Sequence, residues 1–175
     1  MRSEIFTRLN FWPSLLTCLF ALFIGASSVQ AQDITAEITT LQERYVKLEN
    51  EFSASQARII SAVRTFEAQE TAYGQLDYVS QLLVSMNREF DVLNMALALA
   101  SMVTETRFVP NSNRIKDFQR SYMTNLVSIS VQHIEKTIPR VKDPETTRLL
   151  LEARNLFRSS SDLLGRLSVK ETKKK

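Results

Sequence analysis

Helix-breaking residues are nearly absent from the long middle part of this chain. Between Asp33 and Phe108 the sequence contains no proline and a single glycine, Gly74. A β-rich fold needs frequent turn residues, whereas a run of this length without them is typical of long helices. The sequence therefore predicts an all-α fold.

Apolar residues recur at alternating steps of three and four through the first predicted helix, residues 34–73. The series consists of Ile34, Ile38, Leu41, Tyr45, Leu48, Phe52, Ile59, Ala62, Phe66 and Tyr73, and it is interrupted only at Ser55 and Gln69. Such heptad spacing puts one apolar stripe along a helix, and another helix must cover that stripe in water. The pattern predicts an extended N-terminal helix of the coiled-coil type.

Three further amphipathic segments follow, at residues 75–106, 114–138 and 144–167. Their apolar stripes include Leu76, Val79, Leu83, Met86, Phe90, Leu93, Leu97 and Ala100 in the second helix, Ile115, Phe118, Tyr122, Leu126 and Ile129 in the third, and Leu149, Ala153, Leu156, Leu163 and Leu167 in the fourth. Four amphipathic segments with short connections predict an antiparallel four-helix up-down bundle within residues 32–168.

The connections are predicted from turn and capping residues. Phe108–Asn113 contains a proline and three polar residues, and Asp143 followed by Pro144 is typical of a helix start. Gly74 is the expected break between the first two helices, because glycine costs about 1 kcal/mol inside a helix. A continuous helix from Ile34 to Thr106 also satisfies the spacing.

The N-terminal segment, residues 1–31, has the pattern of a cleavable secretory signal. Arg2 and Arg8 precede an uncharged apolar run at 14–26, and small or compact residues, Val29 and Ala31, stand before the predicted cleavage site. An uncleaved membrane anchor is the alternative, although the run is shorter than a spanning helix requires. We expect export, with a bacterial periplasm or the cell exterior as the destination.

The composition argues against most site chemistry. The 22 basic and 19 acidic residues leave a formal charge of only +3, which does not favour nucleic acid as a partner. The only cysteine, Cys18, lies in the leader, and His133 is the only histidine, so thiolate and multi-histidine metal sites are not expected. We predict no catalytic residue, no metal and no cofactor, and we interpret His133 as a structural residue.

Two stretches, residues 92–104 and 121–134, contain no charged residue. One interpretation is that the first and fourth helices pack against both stretches. The other is a spare apolar face on Met95, Leu99 and Met102, because methionine suits adaptable contact surfaces. Such a face would receive a second subunit, a partner helix or an apolar ligand.

These patterns favour an exported, non-enzymatic helical protein that acts through protein–protein contact or self-association, as a scaffold, adaptor or chaperone-like partner. The alternative is a bundle that binds a small apolar ligand between helices two, three and four. The lysine-rich tail, residues 169–175, is predicted to be disordered, with weak contact to anionic membrane or wall surfaces as its one candidate role.

Overall fold

The computed structural model describes the backbone of residues 12–61, 65–103 and 108–169, with side chains from residue 33 onward apart from 72, 168 and 169. Within these ranges the chain is helical and has no strand, which confirms the all-α prediction. The helices are α1 (Trp12–Ser61), α2 (Phe66–Met102), α3 (Val109–Thr137) and α4 (Pro144–Val169), with a short 3-10 helix at Ile138–Arg140 before α4. At 50 residues, α1 is the longest.

The chain divides into two compact units, residues 1–37 and 38–175. In the first unit the described residues belong to the N-terminal part of α1. The second unit contains the rest of α1 and the other helices.

The core of the second unit consists of large apolar side chains from all four helices. Tyr45 from α1 packs edge-on against Phe157 from α4, with ring centroids 5.4 Å apart, and lies 5.9 Å from the ring of Phe90 in α2. Other fully buried side chains are Ile38, Leu48, Leu83, Met86, Leu93, Met123, Ile134 and Leu149. Removing such surfaces from water supplies most of the free energy of folding.

Side-chain hydrogen bonds and ion pairs connect the helices in four combinations. Each joins residues on two different helices at 2.6–2.9 Å. The contacts are Gln42 to Asp91, Tyr45 to Ser160, Glu89 to Gln119, and Glu135 to Arg158. Therefore α1 contacts α2 and α4, and α3 also contacts α2 and α4.

The predicted break at Gly74 is wrong, and so is the alternative of a continuous helix. α1 ends at Ser61 and α2 begins at Phe66. Thr65 has an extended backbone and is the N-cap of α2, accepting a hydrogen bond from the backbone N–H of Ala68 at 3.3 Å. Gly74 lies inside α2 with an ordinary helical backbone. The capping hydroxyl outweighs the glycine because it satisfies a helix-end donor, whereas one glycine only weakens a helix that packing already stabilises.

The predicted loop at 108–113 is mostly helical. Pro110 occupies the first turn of α3, where its missing N–H costs nothing, and Asn113 lies inside the helix instead of capping it. The predicted start of α4 is confirmed. The carboxylate of Asp143 accepts hydrogen bonds from the backbone N–H of Thr146 at 2.8 Å and from its hydroxyl at 2.7 Å.

The heptad seam of α1 is buried from Ile38 to Ile59, as the spacing predicts. The predicted extension of the seam beyond Ile59 is wrong, because Phe66 and Tyr73 are exposed on α2. Ala62 lies outside the described residues. The seam is thus covered by helices of the same chain, and it is core.

The two chain ends are only partly described. Of the predicted leader, residues 1–11 lie outside the described residues, and 12–31 form the beginning of α1. Val169, assigned to the tail, is the last residue of α4, and the lysine-rich remainder, 170–175, lies outside the described residues. Over the part of the chain that was searched, no helix has both the length and the hydropathy needed to cross a membrane.

Candidate protein-contact surface

The apolar stripe predicted to line the inner side of α3 faces solvent instead. Phe118 is 73% exposed, and Ile115, Tyr122 and Ile129 are also exposed, while Leu126 is half-buried. The buried residues of α3 are Ser112, Gln119, Met123, Val127, Ser130, Ile134 and Thr137. The prediction that the third-helix stripe belongs to the core is therefore wrong.

Local hydrogen bonds explain why small polar residues of α3 are tolerated inside. The hydroxyls of Ser112, Ser130 and Thr137 donate to backbone carbonyls three or four residues earlier, at 2.7–3.0 Å. A hydroxyl satisfied by its own helix adds little cost to burial.

Gln119 holds α3 against α2 from the same buried side. Its side-chain amide donates to the carboxylate of Glu89 at 2.6 Å and to the carbonyl of Glu89 at 3.2 Å. This contact lies on the buried side of α3, together with Met123, Val127 and Ile134. The only sequence signal for it is a glutamine at the helical spacing of the buried residues.

The face predicted on α2 is exposed along its length. Met95 and Met102 are 71% and 76% exposed, and Leu99 is exposed to a smaller degree. Val92, which the sequence reasoning missed, continues the same stripe one step earlier. Residues 92, 95, 99 and 102 follow steps of three and four, so they share one side of the helix.

Two contacts define how α2 and α3 lie beside each other. Glu89 meets Gln119, and the ring of Tyr78 meets that of His133 with centroids 4.4 Å apart. The C-terminal part of α2 therefore lies next to the N-terminal part of α3. This register places the exposed stripe of α2 beside the N-terminal half of α3.

We call the combined surface the α2–α3 apolar face. It comprises Val92, Met95, Leu99, Met102, Phe108, Ile115, Phe118, Tyr122 and Ile129. With about 200 Å² for each large side chain, their exposed fractions amount to roughly 1,000 Å² of apolar surface. The largest apolar patch on a typical monomer covers about 300–600 Å², and larger ones mark contact sites.

His133 lies at the other end of the same helix pair, and it is partly buried against Tyr78. Burial is the main cause that lowers the pKa of its imidazole, and the nearby charges of Lys136 and Arg140 lower it further. Its buried Nε2 has no hydrogen-bond partner among the described residues. No group of three metal-ligating side chains occurs within the part of the chain that was searched.

A cleft of about 970 Å³ lies at one end of the second unit. Its walls come from the end of α1, the first turns of α2 and the connection into α4. They include Ile59, Leu76 and Val141 together with Thr65, Thr137, Arg140, Lys142 and Asp143. The cleft is not between helices two, three and four, and neither Leu99 nor Met102 lines it.

No known protein family matches this chain, and neither characterised proteins nor solved structures show significant similarity to it.

Proposed function

We propose that this chain is an exported, non-enzymatic helical protein that works through protein–protein contact, as a scaffold, adaptor or chaperone-like partner. One observation carries the proposal: the α2–α3 apolar face leaves roughly 1,000 Å² of apolar surface in water, and a partner that covered this surface would gain free energy by removing it from water. Nucleic acid is not a proposed partner, and no cofactor is needed for this role.

The contact surface in this proposal differs from the one that the heptad seam suggests. The seam from Ile38 to Ile59 is occupied by helices of its own chain. A partner therefore has to bind elsewhere, and the α2–α3 apolar face is the surface of sufficient size and apolar character among the described residues.

We further propose that the four helices form an antiparallel up-down bundle. Two contacts between α1 and α4 support this: Tyr45 meets Ser160, whereas Glu51, later in α1, meets Arg148, earlier in α4. The contacts of Glu89 with Gln119 and of Tyr78 with His133 support an antiparallel arrangement of α2 and α3 in the same way. Such a bundle holds the apolar face on a rigid support.

Export is proposed from the leader at residues 1–31. N-terminal sequencing of the chain recovered outside the cytoplasm tests it, with a new terminus at Gln32 as the expected result. A chain that still begins at Met1 contradicts cleavage. Weak binding of the lysine tail to anionic membrane or wall surfaces would be a salt-sensitive addition to the main contact.

Site-specific photo-crosslinking in intact cells tests the contact proposal. A photoreactive phenylalanine analogue at Phe118 should trap a protein adduct. The same analogue at Thr124 should not, because Thr124 is exposed two residues beyond Tyr122 and so lies on the opposite side of α3. Equal yields at the two positions, or no adduct at either, would count against the α2–α3 apolar face as a contact surface.

A second candidate function is the binding of a small apolar ligand, which the cleft of about 970 Å³ favours. Pockets of about 300–1,000 Å³ suit small molecules. A ligand there should raise the melting temperature, and Leu76→Asp should remove the increase, whereas Leu99→Asp should not. If no compound in a broad lipid and small-molecule screen stabilises the protein, this function is excluded.

A further inference from the structure

We infer that the partner on the α2–α3 apolar face is a second copy of this chain, docked so that the two α3 helices cross antiparallel about a two-fold axis at Tyr122. This inference rests on the proposed contact function and specifies the partner. Three observations support it, concerning the spacing of the stripe, the positions of the charges and the exposed area.

The stripe on α3 is symmetric about Tyr122. Ile115 and Ile129 lie seven residues before and after it, and Phe118 and Leu126 lie four residues before and after it. In a two-fold antiparallel contact, a residue at a given distance before the axis meets the residue at the same distance after it. Each apolar residue therefore meets an apolar residue of the second copy.

The sizes of the paired side chains also fit. Phe118 protrudes, being 73% exposed, and it would meet Leu126 of the second copy, which is half-buried and leaves room. Ile115 and Ile129 are exposed to similar degrees and would meet each other. Large residues facing recessed ones give the interdigitation that well-packed interfaces show.

The charges on α3 favour the antiparallel arrangement over a parallel one. Arg114 lies one helical turn before Phe118, at the edge of the stripe, whereas residues 121–134 carry no charge. Across an antiparallel contact, Arg114 lies opposite the uncharged half of the second copy. In a parallel contact Arg114 would lie close to Arg114 of the second copy, and like charges brought together across an interface oppose association.

The exposed area is sufficient for a stable dimer. A stable interface buries about 800 Å² on each partner, and the α2–α3 apolar face supplies roughly 1,000 Å² when about 200 Å² is assigned to each large side chain. In each copy the stripe of α2 lies beside the N-terminal half of α3. The two copies therefore extend the contact on opposite sides of the axis. Homodimer interfaces are more apolar than the rest of the surface, as this face is.

Sedimentation equilibrium on the purified chain tests the inference. The unchanged protein should be a dimer at micromolar concentration. Tyr122→Arg places two like charges at the axis and should weaken the dimer by on the order of 100-fold or more, whereas Thr124→Arg, on the opposite side of α3, should leave it intact. Both variants should keep the helical circular dichroism of the parent.

A charge-pairing experiment tests the antiparallel register itself. Ile115→Glu and Ile129→Lys should each weaken the dimer, and their combination should restore it, because each new carboxylate then faces a new ammonium of the second copy. The pair Ile115→Lys with Ile129→Lys should give no recovery. Equal weakening by both pairs would overturn the proposed register.

The outcomes separate this inference from the function on which it rests. A dimer that resists Tyr122→Arg overturns the inference, and so does a monomer at ~100 µM, where a standard-size interface would be populated. If that monomer is still crosslinked through Phe118 to a different protein, the contact function stands with another partner. The protein could instead remain monomeric and float with anionic vesicles. If Tyr122→Arg abolished this flotation, the face would be assigned to a membrane surface.

Discussion

The buried hydrogen bond between Tyr45 and Ser160 gives a quantitative test of how α1 and α4 pack together. The two oxygens are 2.9 Å apart, and both side chains are fully buried. The hydroxyl of Ser160 already donates its one proton to the carbonyl of Leu156 at 3.1 Å. Both hydroxyls find a partner when the phenol of Tyr45 is the donor, and burial keeps the phenol protonated by raising its pKa above the ordinary value.

This donor direction makes the two single substitutions unequal. Ser160→Ala leaves a buried phenol O–H without an acceptor, which costs about 1–3 kcal/mol. Tyr45→Phe removes the donor but leaves Ser160 bonded to Leu156, so the cost should be only the net value of one hydrogen bond, about 0.5–1.5 kcal/mol. The double variant has no stranded group and should cost less than the sum of the two.

Urea unfolding followed by far-ultraviolet circular dichroism measures the free energy of unfolding of the parent, of each single variant and of the double variant. Ser159→Ala is the matched control, because this neighbouring hydroxyl donates to Asn155 near the surface, and surface changes usually stay within about 0.5 kcal/mol. The expected coupling between Tyr45 and Ser160 is about 1 kcal/mol. Strict additivity would refute the interaction between the two hydroxyls. A larger loss in Tyr45→Phe than in Ser160→Ala would refute the assigned donor direction.

Three further changes should alter stability in predictable directions. Asp143→Ala removes the cap that accepts from Thr146 and should lower the free energy of unfolding by about 1 kcal/mol, whereas Asp143→Asn should keep most of it; equal losses in urea titrations would contradict the capping role. Gly74→Ala, and likewise Gly165→Ala, should raise stability by about 0.5–1 kcal/mol, because each added Cβ meets no atom within 4 Å; a lower melting temperature would contradict this. The pKa of His133 is lower in the folded protein than the ordinary value of about 6.5, so the unfolded chain binds more protons just below that pH. Stability should therefore fall as pH drops through this window, and His133→Gln should flatten that part of the pH profile in thermal melts.

Helix content and the beginning of α4 could be predicted from the sequence because they depend on local chemistry. The scarcity of glycine and proline, the heptad spacing and the Asp143–Pro144 pair act over one or two turns, and the corresponding features are present in the structure. The break between α1 and α2 was misplaced for a local reason as well. A lone glycine was weighted above the capping side chain of Thr65, which is the stronger terminus signal.

The burial of α3 shows what periodicity alone does not decide. This helix has one stripe of large apolar residues and another in which Met123, Val127 and Ile134 alternate with small and polar residues, and simple hydrophobicity favours burying the first. The hydroxyl bonds of Ser130 and Thr137 within the helix, and the amide of Gln119 on Glu89, make the second stripe suitable for close packing. The face on Met95, Leu99 and Met102 was predicted from missing charge, but its continuation across α3 was not.

The amino-acid sequence by itself determined that this chain is helical and where one of its helices is capped, because hydrogen bonding and capping act between residues close in the chain. Only the tertiary structure decided which stripe of α3 is buried, because that choice depends on contacts between residues far apart, such as Glu89 with Gln119. The heptad seam of α1 became core and the stripe of α3 became surface for the same physical reason: the available neighbours cover one apolar side and leave the other in water.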